Sequence, residues 1–269
     1  MNVEKSHTEK DFSLPYIRIG HGQKCAVAFH GFGQDSTYFS TFEPVLSKSY
    51  TIYSFDLPYH GRHDLEKVDQ PIDKDTLRLF FQRFLDAEKI TEFLNIGFSI
   101  GAKLSLALLE FFPEKIERMV LIAPDGFRTN IWYKLATGSQ PTRSVFKHMV
   151  YNPDAFFKLS DAMAKMNFVH PGVSRFARSQ MSSEQKREKV YFTWMFFRKL
   201  NYKKSQILNS LIKHNIPISV FLGSEDKIIQ KKQFSFLSED QEVNFELTEL
   251  PAGHNNLIEE TANYLLKTQ

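Results

Sequence analysis

A five-residue segment between an apolar run and a helical run constrains the fold more than any other feature. Gly97-Phe98-Ser99-Ile100-Gly101 has the pattern G-x-S-x-G, follows the apolar run Phe93 to Ile96, and precedes a helix-like run from Lys103 to Phe112. In this setting the pattern is typical of a sharp strand–turn–helix that holds a serine in a strained conformation, with its hydroxyl exposed at the sheet edge. The segment therefore predicts a strand, a tight turn and a helix, with Ser99 as candidate nucleophile.

Strand-like runs alternate with helical runs along most of the chain. The strand candidates are Tyr16 to Ile19, Cys25 to His30, Thr51 to Phe55, Phe93 to Ile96, Met119 to Ala123, Ile218 to Leu222 and Val243 to Leu247. The helix candidates are Asp75 to Lys89, Lys103 to Phe112 and Asn256 to Leu266. This alternation predicts an α/β fold with a mostly parallel central sheet flanked by helices. The carboxyl ends of parallel strands meet at one edge, so chemistry is expected in the loops that follow them.

The stretch from residue 127 to residue 206 breaks this alternation. It is rich in Phe, Met, Tyr, Trp, Lys and Arg and contains turn-forming residues, which indicates a helical insertion between two core strands. The predicted domains are a core of residues 1–126 and 207–269 and an insertion of residues 127–206. From Asp125 to Lys204 fifteen basic and five acidic residues give a net charge of +10. The whole chain carries +3, so the remainder is at −7, and the basic segment could attract anionic substrates or simply form solvated helix faces.

A serine nucleophile needs a base and a group that orients the base, which the chain offers at later strand ends. His254 lies in a turn between the last strand candidate and the last helix, and is the candidate base. Asp226 ends the penultimate strand candidate and is the preferred acid, while Asp125 at the end of the preceding strand is the rival. Three other downstream histidines lie in the insertion or just before a strand and fit the base role poorly: His148, His170 and His214.

A glycine-rich turn, His30-Gly31-Phe32-Gly33, follows an early core strand. Such a turn lets backbone N–H groups face a carbonyl oxygen, and the residue after the nucleophile supplies a second donor. The expected oxyanion hole therefore consists of the Phe32 and Ile100 backbone amides, each worth roughly 3 kcal/mol in the transition state.

These segments together resemble the α/β-hydrolase superfamily. The residues that carry the resemblance are His30-Gly31-Phe32-Gly33, Asp56-Leu57-Pro58-Tyr59-His60-Gly61-Arg62, Gly97-Phe98-Ser99-Ile100-Gly101, Gly223-Ser224-Glu225-Asp226 and Gly253-His254. In the second of these, Tyr59 replaces the usual glycine and His63 the usual serine. The resemblance implies that residues 127–206 are a cap over the active site. A serine at position 99 argues against the dehalogenase and epoxide hydrolase branches, which use aspartate there.

The favoured interpretation is a serine hydrolase that cleaves an ester or thioester through a Ser99-His254-Asp226 triad and an acyl-enzyme. An alternative keeps the triad but makes the protein a lyase or C–C hydrolase for an anionic substrate, because Ser99-Ile100-Gly101-Ala102-Lys103 is similar to the S-M-G-G-R stretch of a menaquinone-pathway lyase. Lys103 is more simply read as a solvent-facing or partner-paired helix residue. A non-catalytic hydrolase-fold binding protein is the third possibility.

Composition restricts the remaining expectations. No metal motif or cofactor motif is present, so no cofactor and no metal are expected. The single cysteine, Cys25, allows no intrachain disulfide, and with no visible secretory signal a cytoplasmic location is expected. The apolar runs are too short for a membrane span. The expected partner is a small-molecule acyl substrate, for which the basic segment would favour an anionic group, and no nucleic-acid partner is expected.

Overall fold

The computed structural model describes residues 5–9, 12–62, 69–127, 131–165 and 178–268. His63 and His170, which the sequence singles out, lie outside these residues. Within them, one sheet contains the strands β1 (Lys5–Glu9), β2 (Phe12–Ile19), β3 (Lys24–Phe29), β4 (Tyr50–Phe55), β5 (Phe93–Phe98), β6 (Ile116–Ile122), β7 (Ile218–Gly223) and β8 (Phe245–Leu250).

The sheet is mostly parallel, as predicted. Its strand order is β1-β2-β4-β3-β5-β6-β7-β8; β2 pairs antiparallel with β1 and β4, and the other neighbours are parallel. Every residue of β5 and β7 is buried, which matches the continuous apolar runs of central parallel strands. The predicted α/β fold class is therefore confirmed.

The helices follow in chain order between and after these strands. They are α1 (Glu43–Leu46), α2 (Lys74–Ala87), α3 (Ala102–Phe111), α4 (Ile131–Gly138), α5 (Gln140–Tyr151), α6 (Pro153–Lys165), α7 (Glu184–Phe197), α8 (Lys204–Lys213), α9 (Ser235–Ser238) and α10 (Leu257–Thr268). None of the helices in the described ranges combines the length and the apolar composition needed to cross a bilayer.

Helix α2 shows how the sequence pattern produces core packing. It begins at the N-cap Asp73, whose side chain accepts a hydrogen bond from the Thr76 backbone amide. Leu77, Phe80, Phe81, Phe84 and Leu85 recur at helical spacing, and all are buried. Phe55 of β4 packs edge-on against Phe84, with ring centroids 4.9 Å apart, so this face of α2 fixes the helix on the sheet.

The structure divides into two compact units. The first contains the sheet and the described residues of 5–62, 72–127 and 200–268. Residues 200–206 fall inside the predicted insertion but group with the sheet-bearing unit, and Leu200 is fully buried. The Tyr202 hydroxyl donates to the Lys103 carbonyl at 2.7 Å, and burial raises the pKa of Tyr202 well above its usual value. That hydroxyl therefore remains a protonated donor at neutral pH.

The second unit is helical and contains the described residues of 69–71, 131–165 and 178–199. The Asp69 carboxylate accepts hydrogen bonds from the Tyr191 hydroxyl of α7 at 2.5 Å and from the Arg198 guanidinium at 3.1 Å. Burial and the hydrogen bond to Asp69 raise the pKa of Tyr191. Arg187 is 8% exposed and donates to the backbone carbonyls of Val150, near the end of α5, and of Met181, so a buried cation satisfies both.

Candidate active site

The G-x-S-x-G segment forms the tight turn that the sequence predicts. Ser99 begins a short 3₁₀ turn between β5 and α3 with a φ of +50°, in the left-handed region that disfavours a side chain. A Cβ at Gly97 would lie 2.8 Å from the Ala102 Cα and collide with the Ser105 hydroxyl, and one at Gly101 would collide with the carbonyl oxygens of residues 29 and 30. Both glycines are therefore required by close backbone approach.

Three predicted side chains meet at the carboxyl edge of the sheet. The Ser99 Oγ lies 2.9 Å from Nε2 of His254, and Nδ1 of His254 lies 2.6 Å from Oδ2 of Asp226. Because a carboxylate can only accept, Nδ1 carries the proton and Nε2 presents its lone pair to the serine hydroxyl. This tautomer makes His254 ready to take a proton from Ser99.

Asp226 is held in place by the chain that follows it. Its side chain is fully buried, and Oδ1 accepts from the backbone amides of Ile228 at 2.7 Å and Ile229 at 3.2 Å. Oδ2 is thus left to face His254. The neighbouring Glu225 is exposed and is not part of this arrangement.

Asp125, the rival acid, lies in a different environment. Its backbone amide donates to the Ser99 carbonyl at 2.9 Å, while its Oδ2 lies 3.8 Å from the Lys103 Nζ. Lys103 is only 3% exposed, so the expectation of a solvent-facing lysine is wrong and the partner-paired reading holds. Lysine is rarely buried unless it is paired, so the residue type alone did not indicate that Lys103 would be buried.

The other candidate histidines do not join the site. His148 lies on α5, where its Nδ1 is 3.4 Å from the Asn152 amide nitrogen, and His214 is the C-cap of α8. The structure therefore brings His254 alone of the described downstream histidines to Ser99.

The glycine-rich turn after β3 is fixed by side chains on both sides. His30 is fully buried; its Nε2 accepts from the Leu57 amide at 3.0 Å and its Nδ1 donates to the Gly31 carbonyl at 2.8 Å. The Gly31 amide donates to the Gln34 side chain at 2.9 Å. Since this amide is occupied, Phe32 is the next residue whose N–H is available as a donor in this turn. Sequence reasoning missed Gln34, whose signal is its position three residues after Gly31.

The segment after β4 supports the same turn. Asp56 is fully buried and accepts from the Ser36 amide at 2.7 Å and from the Arg62 amide at 3.2 Å. Tyr59 has a φ of +64°, so it occupies the left-handed conformation for which glycine is the usual residue. The substitution noted in the sequence therefore leaves the backbone geometry intact, at a cost of roughly 1–2 kcal/mol.

Comparison with known proteins identifies the fold family of the chain. A family model described as alpha/beta hydrolase fold matches residues 27–261. The chain is 28% identical over 113 residues to a dihydrolipoyllysine-residue acetyltransferase component of an acetoin cleaving system from Cupriavidus necator, which covers 42% of this chain and 29% of that protein. The chain spans about a third of the length of the first curated relatives that it matches.

Solved structures resemble the whole chain at low sequence identity. A thermophilic esterase from Thermogutta terrifontis has a TM-score of 0.67 at 14% identity, covering 100% of this chain and 96% of that one. A thioesterase domain from the curacin biosynthetic pathway has a TM-score of 0.62 at 17% identity, covering 100% and 98%. At such identities the likeness concerns the fold alone.

Proposed function

This chain belongs to the alpha/beta hydrolase fold family, and we propose that within it the protein is a serine hydrolase that cleaves an ester or a thioester through an acyl-enzyme. The observation that carries this proposal is the chain of two hydrogen bonds, 2.9 Å and 2.6 Å long, that joins Ser99 to His254 and His254 to Asp226. The esterase and the thioesterase among the similar structures support the reaction class by analogy of fold.

The proposed reaction has two halves. Ser99 Oγ attacks the acyl carbon while His254 Nε2 takes the hydroxyl proton, and the oxygen of the tetrahedral intermediate accepts from the Phe32 and Ile100 amides. His254 then protonates the departing alcohol or thiol, which leaves the acyl group on Ser99. A water molecule gives its proton to His254, attacks the acyl carbon and releases the acid, returning the proton to Ser99. Asp226 keeps the tautomer of His254 and stabilises the imidazolium.

Labelling with a fluorophosphonate tests the nucleophile directly. We expect the wild-type protein to be modified at Ser99, identified by peptide mass spectrometry, and to hydrolyse acyl esters from a series graded in length and charge. Ser99→Ala should abolish both labelling and turnover. Ser224→Ala is the matched control, because Ser224 is an exposed serine beside the same sheet edge and should leave both unchanged. A wild-type protein that neither labels nor turns over any ester would favour a non-catalytic binding protein.

The positive charge of the segment from Asp125 to Lys204 favours a second candidate, a triad-dependent lyase or C–C hydrolase that acts on an anionic substrate. Turnover in water enriched in ¹⁸O separates the two. Ester or thioester hydrolysis and C–C hydrolysis place one ¹⁸O in the acid product, and only the first releases an alcohol or thiol. An elimination places no ¹⁸O in either product.

A further inference from the structure

Phe98, the second residue of the G-x-S-x-G segment, lies against the candidate base. It is 2% exposed, and its ring centroid is 5.4 Å from that of the His254 imidazole, with 32° between the two planes. The imidazole therefore packs against a tilted aromatic ring, while its two nitrogens are hydrogen-bonded to Ser99 and Asp226.

The same ring also contacts the glycine-rich turn. A Cβ built at Gly31 would lie 2.7 Å from both Cδ1 and Cε1 of Phe98, which real Cβ atoms do not tolerate. The Gly31 amide is held by the Gln34 side chain, so the turn cannot easily withdraw from the ring. Phe98 thus packs close both to the imidazole and to the turn that carries the Phe32 amide.

We propose that Phe98 is a positioning residue that couples the orientation of the His254 imidazole to the placement of the glycine-rich turn at Gly31. This inference rests on the proposed function. Two hydrogen bonds, one at each ring nitrogen, leave the imidazole able to tilt about the line through those nitrogens. The Phe98 ring packed beside the imidazole restricts this tilt. The same ring is attractive to the imidazolium that forms when Ser99 loses its proton.

Removing the ring should therefore lower kcat more than it changes KM. We expect Phe98→Leu to reduce kcat by about 3- to 30-fold, as for the loss of a cation–π contact and of ring restraint. KM should stay within about twofold, because the Phe98 ring is buried against protein. Phe98→Tyr keeps the aromatic face and should retain more than half of the wild-type kcat.

A double-mutant cycle tests the coupling between the two sides. Gly31→Ala adds a methyl group that must displace the Phe98 ring, so alone it should reduce kcat by at least about tenfold. In the Phe98→Leu background the smaller side chain leaves room for that methyl group. The added loss from Gly31→Ala should then fall to less than about threefold. Equal losses from Gly31→Ala in both backgrounds would overturn the proposal.

A measurement that needs no turnover separates this proposal from the proposed function. The Nδ1 proton shared by His254 and Asp226 should give a downfield proton NMR resonance in the resting protein. We expect Gly31→Ala and Phe98→Leu each to shift or broaden it, and Phe98→Tyr to leave it in place. An unchanged resonance in both Gly31→Ala and Phe98→Leu would refute the role of Phe98, even if the wild type proves to be an active esterase. If fluorophosphonate fails to label the wild type, the function fails while this readout still decides the positioning role.

Discussion

Replacing Asp226 with asparagine tests how this side chain sets the tautomer of His254, and it also removes the negative charge that would stabilise the imidazolium. The aspartate accepts three hydrogen bonds, two at Oδ1 from the Ile228 and Ile229 amides and one at Oδ2 from His254. Asparagine has one acceptor oxygen and one nitrogen that can only donate. The variant therefore keeps either the two backbone bonds or the one to His254.

The energies favour keeping the backbone bonds. Turning the amide nitrogen toward the two backbone amides would leave the buried Ile229 donor unsatisfied, at about 1–3 kcal/mol, together with the part-buried Ile228 donor, and would place donor against donor. In the opposite orientation the side-chain NH₂ donates to Nδ1 of His254, which forces the proton onto Nε2. Nε2 then cannot accept from Ser99. We therefore expect Asp226→Asn to lower kcat by roughly 10⁴-fold, as in other triads that lose the orienting acid, with little loss of stability.

Asp125→Asn is the matched control, because it makes the same chemical change at the next strand end. Its backbone amide still donates to the Ser99 carbonyl, so kcat should stay within about tenfold of wild type. The variant should instead be less stable, because Lys103 is buried and loses its anionic partner. The assay is kcat and KM on a chromogenic ester, with the thermal midpoint from circular dichroism. An Asp226→Asn enzyme within tenfold of wild type, or a larger kcat loss in Asp125→Asn, would refute the reasoning.

Three further outcomes follow from the site, the second unit and the charge distribution. Ser99→Ala and His254→Ala should each lower kcat by several orders of magnitude, and the double variant should be no worse, since the two act as a unit; losses that multiply would contradict this. Arg187→Met should destabilise the second unit by about 2–4 kcal/mol, because two carbonyls lose their donor. Denaturant-induced unfolding followed by tryptophan fluorescence measures this change. The control Arg178→Met removes an exposed ion pair and should change stability by less than about 1 kcal/mol. Anionic esters should show a higher kcat/KM than matched neutral esters at about 20 mM salt. That advantage should disappear near 500 mM salt, because the Debye length falls from roughly 20 Å to under 5 Å. Equal kcat/KM values for the two esters at every salt concentration would mean that the basic residues only form solvated helix faces.

The central strands could be predicted because burial on both faces leaves a continuous apolar run. Ile218 to Leu222 was expected and β7 is Ile218–Gly223, a difference of one residue. The strands at the two edges of the sheet were harder to predict. β1, Lys5–Glu9, is polar and has no apolar pattern, and β8 is Phe245–Leu250 rather than Val243 to Leu247, because an edge strand is only partly buried and does not alternate.

Contacts between distant side chains account for what the sequence did not reveal. Nothing in the sequence places Phe98 against His254 or pairs Lys103 with Asp125, because these contacts join segments far apart in the chain or reverse the usual exposure of a residue type. The two glycines of the G-x-S-x-G segment, Gly97 and Gly101, were in contrast predictable. Their requirement is local, set by a turn that spans five residues.

The preference for Asp226 over Asp125 depends on the lateral order of the strands, which the sequence does not contain. From β5 to β8 the order across the sheet is the same as the order along the chain, whereas β3 and β4 are exchanged. Because β7 lies beside β8, Asp226, three residues after the end of β7, reaches the loop that carries His254. Because β6 lies beside β5, Asp125 instead lies near the G-x-S-x-G segment and α3, and its carboxylate pairs with Lys103. Had β6 and β7 been exchanged, the same two sequence motifs would have placed Asp125 beside His254, so the assignment is a consequence of topology rather than of either motif.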